Sequence, residues 1–353
     1  MTDCGLRIVD CGMEPHRKAA KSAKDFKTRM LSFFASFAAL RCNNPKSEIR
    51  KPKSGGRRWL MYGLRLGLTV VVLSILLSKV DVGEMARAFG WVKWSFLAGA
   101  LALVIPNLAL QCVKWRYLVR LVKPEVRIGE IVRSVLAGLG LGLVTPGRIG
   151  ETGKIFYIRD VRRRALAGLA VAERAYVMVS NVGLGGLAFA VLVGKTSWIL
   201  FVPLGVALFF LAIAPEIGVR VLRRLLGRLP FKEKLRPVLD GLGELNGDHG
   251  RSMLSLSVLF YGIHCTQFYL LISAFGDIEI TSALWAIPAI VFVRSMLPVA
   301  LGDLGIREAA SVLVLGRFGI PNAVAVDAAL LLFGMNVFVP GVVGAFLVHR
   351  VRR

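Results

Sequence analysis

The sequence is poor in charge and poorer still in acidic residues. Only 19% of its 353 residues are charged, against about 25% in an ordinary soluble domain. The hydrophobic fraction reaches 55% and the mean hydropathy is +0.63. Several apolar runs approach the ~20 residues that a helix needs to cross a bilayer. This composition excludes a string of soluble domains and predicts a polytopic helical membrane protein.

The shortage of acidic residues leaves 46 Lys and Arg against 22 Asp and Glu, a net charge of +24. The basic residues lie in the gaps between apolar runs, as the positive-inside bias of membrane proteins requires. We therefore expect contact with anionic lipid headgroups and no nucleic-acid partner.

Cysteine and histidine are also scarce. The five cysteines form no CxxC pair, and the four histidines form no HxxxH or HExxH pair. We therefore expect no disulfide framework, no metal site and no cofactor. His264 is the histidine inside a predicted span, and we interpret it as a polar residue satisfied between helices.

The chain divides by composition into three parts. Residues 1–58 are basic, contain one apolar piece too short to span, and are predicted to form a mostly disordered cytoplasmic tail. Residues 59–350 are predicted to form the integral membrane domain, and residues 351–353 a basic end. Six apolar stretches are predicted as full spans: 60–78, 94–110 with the helix continuing toward 121, 166–193, 197–214, 252–275 and 324–348.

Two further apolar segments are interrupted. Residues 131–144 are short and glycine-rich, and residues 283–301 contain Pro288, Arg294 and Pro298. The loop charges balance only if both segments enter and leave on one side of the membrane. The sequence thus predicts an all-α polytopic protein with about six spans and two re-entrant elements in a pseudo-inverted arrangement. We expect it in the plasma (inner) membrane, with both termini cytoplasmic.

The two interrupted segments show the same order of residue types. Residues 138–154 read GLGLGLVTPGRIGETGK, and residues 294–308 read RSMLPVALGDLGIRE. Each contains a run of apolar residues, then helix-breaking residues, and then arginine and glutamate. Paired, interrupted segments of this kind point to the binding site of a transporter. The backbone groups that a broken helix frees are tolerated at membrane depth only in a protein-lined or wet cavity.

The first segment carries the chemistry of an anion site. Thr145 is predicted to cap a new helix with Pro146 in its first position, and the N–H groups there favour a phosphate. Arg148 adds bidentate donors. Glu151, three residues on, is expected to hold Arg148 when no ligand is present, and Lys154 lies on the same side.

Other polar residues in apolar surroundings extend this candidate site. Two plainer interpretations stay open: interfacial loops whose arginines reach the headgroups, and a structural pair of Glu173 with Arg174. The predicted lipid-phosphate site comprises Thr145, Pro146, Gly147, Arg148, Gly150, Glu151, Lys154, Glu173, Arg174, Arg294, Pro298, Gly302, Asp303, Gly305, Arg307 and Glu308.

Three motifs in order carry a resemblance to a known family. VTPGRIGETGK (144–154), AERA (172–175) and LPVALGDLGIREAA (297–310) resemble a flippase-like integral membrane family related to the transmembrane region of lysylphosphatidylglycerol synthases. The resemblance covers about residues 60–350. It implies membrane helices with two re-entrant elements and the handling of phospholipids or polyprenyl-phosphate lipids. The family's motif residues correspond here to Pro146, Gly147, Arg148, Gly150, Glu151, Glu173, Arg174, Pro298, Gly302, Gly305, Arg307 and Glu308.

The sequence departs from that family in two ways. The full synthases carry a soluble aminoacyl-transferase domain after the membrane region, whereas this sequence ends at Arg353, so we expect no synthase activity. Leu143 and Val144 are apolar where some relatives have asparagine, which bears on headgroup preference.

The leading functional hypothesis is a translocator for an anionic phospholipid or a polyprenyl-phosphate-linked lipid. Arg148 would hold the phosphate from the inner side, and Arg294 and Arg307 from the outer side. Glu151 and Glu308 would serve as exchanging counter-ions or carry protons. Two alternatives remain: a membrane-embedded transferase acting on a lipid carrier, and a non-catalytic partner that feeds lipid to a separate enzyme.

Overall fold

The fold is helical in every part that the structure covers. The computed structural model describes residues 92–143, 145, 148–161, 163–194, 198–226, 242–297 and 304–344. No strand occurs in these ranges. The predicted tail 1–58, the predicted span 60–78 and the basic end 351–353 lie outside them.

Ten α-helices are numbered here along the described residues, with short 3₁₀ and π elements between them. They are α1 Trp94–Ala102, α2 Val104–Val119, α3 Ile128–Leu143, a 3₁₀ helix Ile149–Tyr157, α4 Arg163–Val193, α5 Trp198–Ile213, α6 Pro215–Leu226, α7 Gly247–Phe275, α8 Ile280–Met296, α9 Ile306–Leu315, a 3₁₀ turn Gly316–Phe318, α10 Asn322–Phe333 and a π-helical turn Gly334–Phe338.

In the described part of the chain, four helical stretches are long and apolar enough to cross a membrane: Trp94–Val119, Ala165–Val193, Gly247–Phe275 and Asn322–Gly344. A fifth is counted if α5 and the start of α6, bent by 107°, form one broken span. The predicted stretch 197–214 corresponds to α5, and the chain turns sharply at its end, after Ile213. Six spans with two re-entrant elements remain a prediction.

The glycine-rich part of α4 brings two neighbouring helices close. A Cβ on Gly185 would lie 2.7 Å from the carbonyl oxygen of Pro288 in α8, and one on Gly183 would lie 2.3 Å from the Phe209 ring of α5. The sequence run GLGGLAFA thus serves close helix packing, as its small residues predict. This contact holds α8, which carries Arg294, against α4, which carries Glu173 and Arg174.

Helix α3 and the 3₁₀ helix pack as a hairpin through a second set of glycines. A Cβ on Gly138 would lie 2.9 Å from the carbonyl oxygen of Glu151, and one on Gly150 would lie 2.2 Å from that of Leu141. The repeated glycines of α3 are therefore a packing surface. The hairpin places the charged residues of the first motif against α3.

The turn of this hairpin differs from the one that the sequence predicts. The new helix begins at Ile149, not at Pro146, and Arg148 holds the capping position with a left-handed φ of 54°. The Thr145 hydroxyl donates to the carbonyl of Leu141 at 3.1 Å and accepts the N–H of Gly150 at 2.7 Å. Thr145 therefore links the two arms of the turn, because the chain must reverse before it can become helical again.

A cluster of charged and backbone groups closes the open end of the same hairpin. The Lys123 ammonium lies 2.9 Å from the Glu130 carboxylate and 3.1 Å from the carbonyl of Arg159. Glu130 also accepts the N–H of Arg159 at 2.7 Å. Burial by itself raises the pKa of Glu130, but the Arg159 N–H and the Lys123 ammonium outweigh it and hold that pKa below its ordinary value.

We expect Gly138→Ala to destabilise the protein by about 1–3 kcal/mol, because the added methyl overlaps the 3₁₀ helix. Gly262→Ala is the matched control: it also changes a glycine inside a long helix, but nothing lies within 4 Å of its Cβ position. That control should gain about 0.5–1 kcal/mol of helix propensity. Thermal unfolding of the purified chain in detergent measures both, and equal shifts would contradict the packing role of Gly138.

We expect Glu130→Gln to destabilise the protein at neutral pH by about 1–2 kcal/mol, since charge-assisted hydrogen bonds are lost. Because the folded pKa of Glu130 is lowered, its contribution is complete above the unfolded pKa and disappears as the pH falls through the folded pKa. The difference in stability between wild type and variant should therefore shrink on acidification below roughly pH 4. Unfolding midpoints across pH 3–7 measure it, and a constant difference would refute the assignment.

Candidate functional site

A cavity of about 560 Å³ lies between the hairpin and the long helices. Residues of α2, α3, the 3₁₀ helix, α4, α7, α8, α9, α10 and the π-helical turn line it. Its polar lining comprises Asn107, Gln111, Lys114, Arg148, Glu151, Thr152, Lys154, Glu173, Arg174, Asn181, Tyr261, His264, Arg294, Ser295, Arg307 and Asn336. The two interrupted sequence segments thus contribute to one cavity.

Two arginines, one from the first motif and one from α4, share the Glu151 carboxylate. Arg148 forms an ion pair with Glu151, as their spacing of three residues predicts. The Arg174 Nη1 atom lies 3.0 Å from the carbonyl oxygen of Arg148 and 3.4 Å from the Glu151 carboxylate. Helix α4 is therefore fastened both to the backbone of the turn and to its acidic side chain.

A second ion pair joins the 3₁₀ helix to α4. Lys154 pairs with Glu173, and its ammonium also lies 4.2 Å from the centre of the Trp115 ring. The Trp115 indole donates to Ser134 at 3.0 Å, and the Ser134 hydroxyl donates to the carbonyl of Lys154 at 2.8 Å. The Lys154 backbone and side chain are thus both positioned by neighbouring helices.

The second segment reaches the same cavity through two arginines. Arg294 lies in the last turn of α8 and Arg307 in the first turn of α9. Arg307 is 2% exposed, with its Nη1 atom 3.4 Å from the carbonyl of Ala329 and its guanidinium 5.0 Å from the Phe333 ring. Residues more than 140 positions apart in sequence, such as Arg148 and Arg294, therefore line a single cavity.

Glu308 does not line the cavity, and instead stabilises the start of α9. It is fully buried and accepts the N–H of Gly305 at 2.6 Å, which closes the start of α9. Gly305 has a φ of 85°, a conformation that favours glycine. Together they set the direction in which α9 presents Arg307. Thr145 and Gly150 similarly hold the turn, and the predicted residues Pro146, Gly147, Pro298, Gly302 and Asp303 lie outside the described residues.

Sequence reasoning missed the contribution of α2. Lys114 is only 1% exposed, and its ammonium lies 4.1 Å from the centre of the Phe260 ring. Asn107 and Gln111 stand on the same helix face and also line the cavity. The signal was present as a stripe of polar residues at positions 107, 111 and 114, spaced by one helical turn within an apolar helix.

Amide side chains from α4 and the π-helical turn also line the cavity. Asn336, in the π-helical turn, donates to Gln267 at 2.7 Å, and Asn181 donates to Ser295 at 3.0 Å. π-Helical turns are frequent at functional sites because they redirect side chains. His264 is a further addition to the candidate site: it stacks on Phe260 with ring centres 6.5 Å apart and faces the cavity.

The charge of this lining is strongly one-sided. Among the described residues, the cavity is lined by six cationic side chains, Lys114, Arg148, Lys154, Arg174, Arg294 and Arg307, and by two carboxylates, Glu151 and Glu173. Both carboxylates are already ion-paired. Within the described ranges, no group of His, Cys, Asp or Glu is arranged to hold a metal ion. The arrangement is thus suited to an anion, since several cations around one poorly solvated space favour a ligand of opposite charge.

The comparison with known families agrees with the fold and with the motifs. No curated protein and no solved structure shows a significant match to the chain. The family described as the lysylphosphatidylglycerol synthase TM region matches residues 62–344, which include every residue that lines the cavity. The chain therefore belongs to the family of lysylphosphatidylglycerol synthase transmembrane regions.

Proposed function

We propose that this membrane protein translocates an anionic lipid, whose phosphate-bearing headgroup enters the cavity. The observation that carries the proposal is the excess of four positive charges among the described side chains that line the cavity of an apolar helical protein. Charged groups at membrane depth are expensive and mark substrate pathways. A phosphate would supply the negative charge that this lining lacks.

The guanidinium groups favour phosphate over other anions. Their fork of N–H donors matches phosphate oxygens in a bidentate manner. Arg148 and Arg174 already share Glu151, so an entering phosphate would compete with that carboxylate for the two arginines. Glu151 is thus placed to act as the exchanging counter-ion, while Lys114 and Arg307 add positive charge from α2 and α9.

The surroundings of the cavity favour a lipid over a water-soluble anion. Ile149, Val171 and Ala175, on the 3₁₀ helix and α4, line the cavity and are exposed. Exposed apolar residues of a membrane domain face lipid tails. A headgroup could therefore occupy the charged interior while its acyl chains leave between these residues into the bilayer.

The hairpin is the element whose movement would open the cavity to one side or the other. Its 3₁₀ helix packs on the glycines of α3 and forms two ion pairs with α4, and both ion pairs use residues that an anion would engage. Binding energy from the headgroup could then be used to loosen the hairpin from α4. Substrate sites of transporters lie at such interrupted elements.

We expect Lys114→Met to slow translocation of fluorescent phosphatidylglycerol in proteoliposomes by about 10- to 100-fold, since one charge-assisted contact of about 1.5–3 kcal/mol is lost. Leaflet exchange is measured by quenching the outer-leaflet label with dithionite. Lys93→Met is the matched control, because Lys93 lies outside the cavity and pairs with Asp277 at the surface. Wild-type protein that exchanges no anionic lipid, or equal loss in both variants, would refute the proposed function.

The route of the acyl chains predicts a second, separable effect. Ala175→Trp should obstruct the exit beside α4 and reduce lipid exchange at least tenfold, whereas binding of water-soluble glycerol phosphate to the purified protein should remain. Leu101→Trp, at an exposed apolar position on α1 remote from the cavity, serves as the control. Unchanged lipid exchange in Ala175→Trp would show that the tails do not pass there.

A further inference from the structure

Helix α6 leaves the end of α5 at a sharp angle. The two helices are bent by 107°, and a single residue, Ala214, separates them. Helix α5 consists almost wholly of apolar residues, and Ile199, Val206 and Phe210 are 78%, 66% and 59% exposed. We take α5, whose 16 residues present apolar side chains to lipid, to cross the hydrocarbon region on its own. The 107° bend then sets α6 close to the plane of the membrane.

The residues of α6 are segregated as in a helix that lies on a membrane surface. Glu216, Arg220 and Arg224 recur at every fourth position and are all exposed. The positions between them are largely apolar, and Val221 is 43% exposed. Apolar residues on one side and arginines on the other are the pattern by which interfacial helices bind membranes that contain anionic lipid.

The arginines of α6 are available to a ligand from outside the protein. Within the described part of the chain, neither Arg220 nor Arg224 forms an ion pair, and the hydrogen bond recorded for Arg220 joins its Nε atom to the carbonyl of Glu216 at 3.4 Å. The Glu216 carboxylate accepts the N–H of Gly247 at 3.0 Å. Among the described residues, Glu216 forms no ion pair with either arginine.

The same contact positions α6. Gly247 is the first residue of α7, so Glu216 joins the start of α6 to the start of a membrane-spanning helix, where a carboxylate is favoured by the helix dipole. Close packing reinforces this junction, since a Cβ on Gly250 would lie 2.5 Å from the carbonyl of Ala212. The arginine stripe is thereby held at the level where two spans meet the headgroup region.

We infer that α6 is an interfacial helix whose Arg220 and Arg224 bind the headgroups of anionic phospholipids in one leaflet. Charge complementarity selects this occupant: two exposed arginines on an amphipathic helix in the interface plane meet phosphate groups with negative charge. The site is separate from the cavity, because neither arginine lines it. The inference therefore does not depend on the proposed translocation.

The test measures lipid contact next to α6 in the full chain. The five native cysteines are replaced, a fluorophore is attached through Val221→Cys, and the protein is reconstituted in phosphatidylcholine vesicles. Nitroxide near the top of the acyl chain of either phosphatidylglycerol or phosphatidylcholine quenches the fluorophore. We expect stronger quenching by the phosphatidylglycerol probe, with local enrichment falling about fivefold for each arginine removed in Arg220→Gln/Arg224→Gln.

Two further variants separate the headgroup site from general effects of charge or folding. Arg251→Gln removes an exposed arginine at the same end of α7 that already pairs with Asp248, so it should leave the enrichment unchanged. Arg220→Lys/Arg224→Lys keeps the charge and should retain most of it. Equal quenching by both probes in the wild type, or unchanged enrichment in the glutamine double variant, would overturn the inference, whatever the translocation assay shows.

Discussion

The structure depends on the two ion pairs that fasten the 3₁₀ helix to α4. Lys154 with Glu173, and Arg174 with Glu151 and the backbone of Arg148, fasten the chain reversal between α3 and the 3₁₀ helix to α4. Buried charges in an apolar protein are stable only when paired and hydrogen-bonded. Because the same side chains line the cavity, the contacts that define its shape are also the ones that an anionic headgroup would rearrange.

Glycine makes these contacts attainable. At Gly138 and Gly150 the hairpin arms approach to distances that no Cβ would permit, and at Gly185 α4 approaches α8 in the same way. Because these glycines allow close packing, the first motif, α4 and Arg294 all reach one cavity. The cationic excess then follows from geometry: α2, α8 and α9 each add a basic side chain to a space whose carboxylates are already engaged. The arginines of α6 show the same principle at the surface.

Several elements of the site were predictable because their signals are local. The spacing of Arg148 and Glu151, the helix-breaking residues beside them and the charges in apolar runs at Glu173 and Arg294 can all be read along the chain. Other elements were not predictable. Lys114 belongs to the cavity because α2 packs beside Phe260 of α7, and Glu308 turns toward the N–H of Gly305 instead of the cavity. The helix start at Ile149 depends on how Thr145 bridges the turn.

The amino-acid sequence by itself determined that the protein is a helical membrane protein, which family it resembles and which short motifs carry charge into apolar surroundings. These properties follow from composition and from spacings within one helix or one turn. Only the tertiary structure decided that both motifs line a single cavity, which carboxylates pair with which cations, and that α2 and the π-helical turn complete the wall. The reason is physical: the net charge, burial and accessibility of a cavity depend on side chains from several helices. Only the packing of those helices determines which side chains line it.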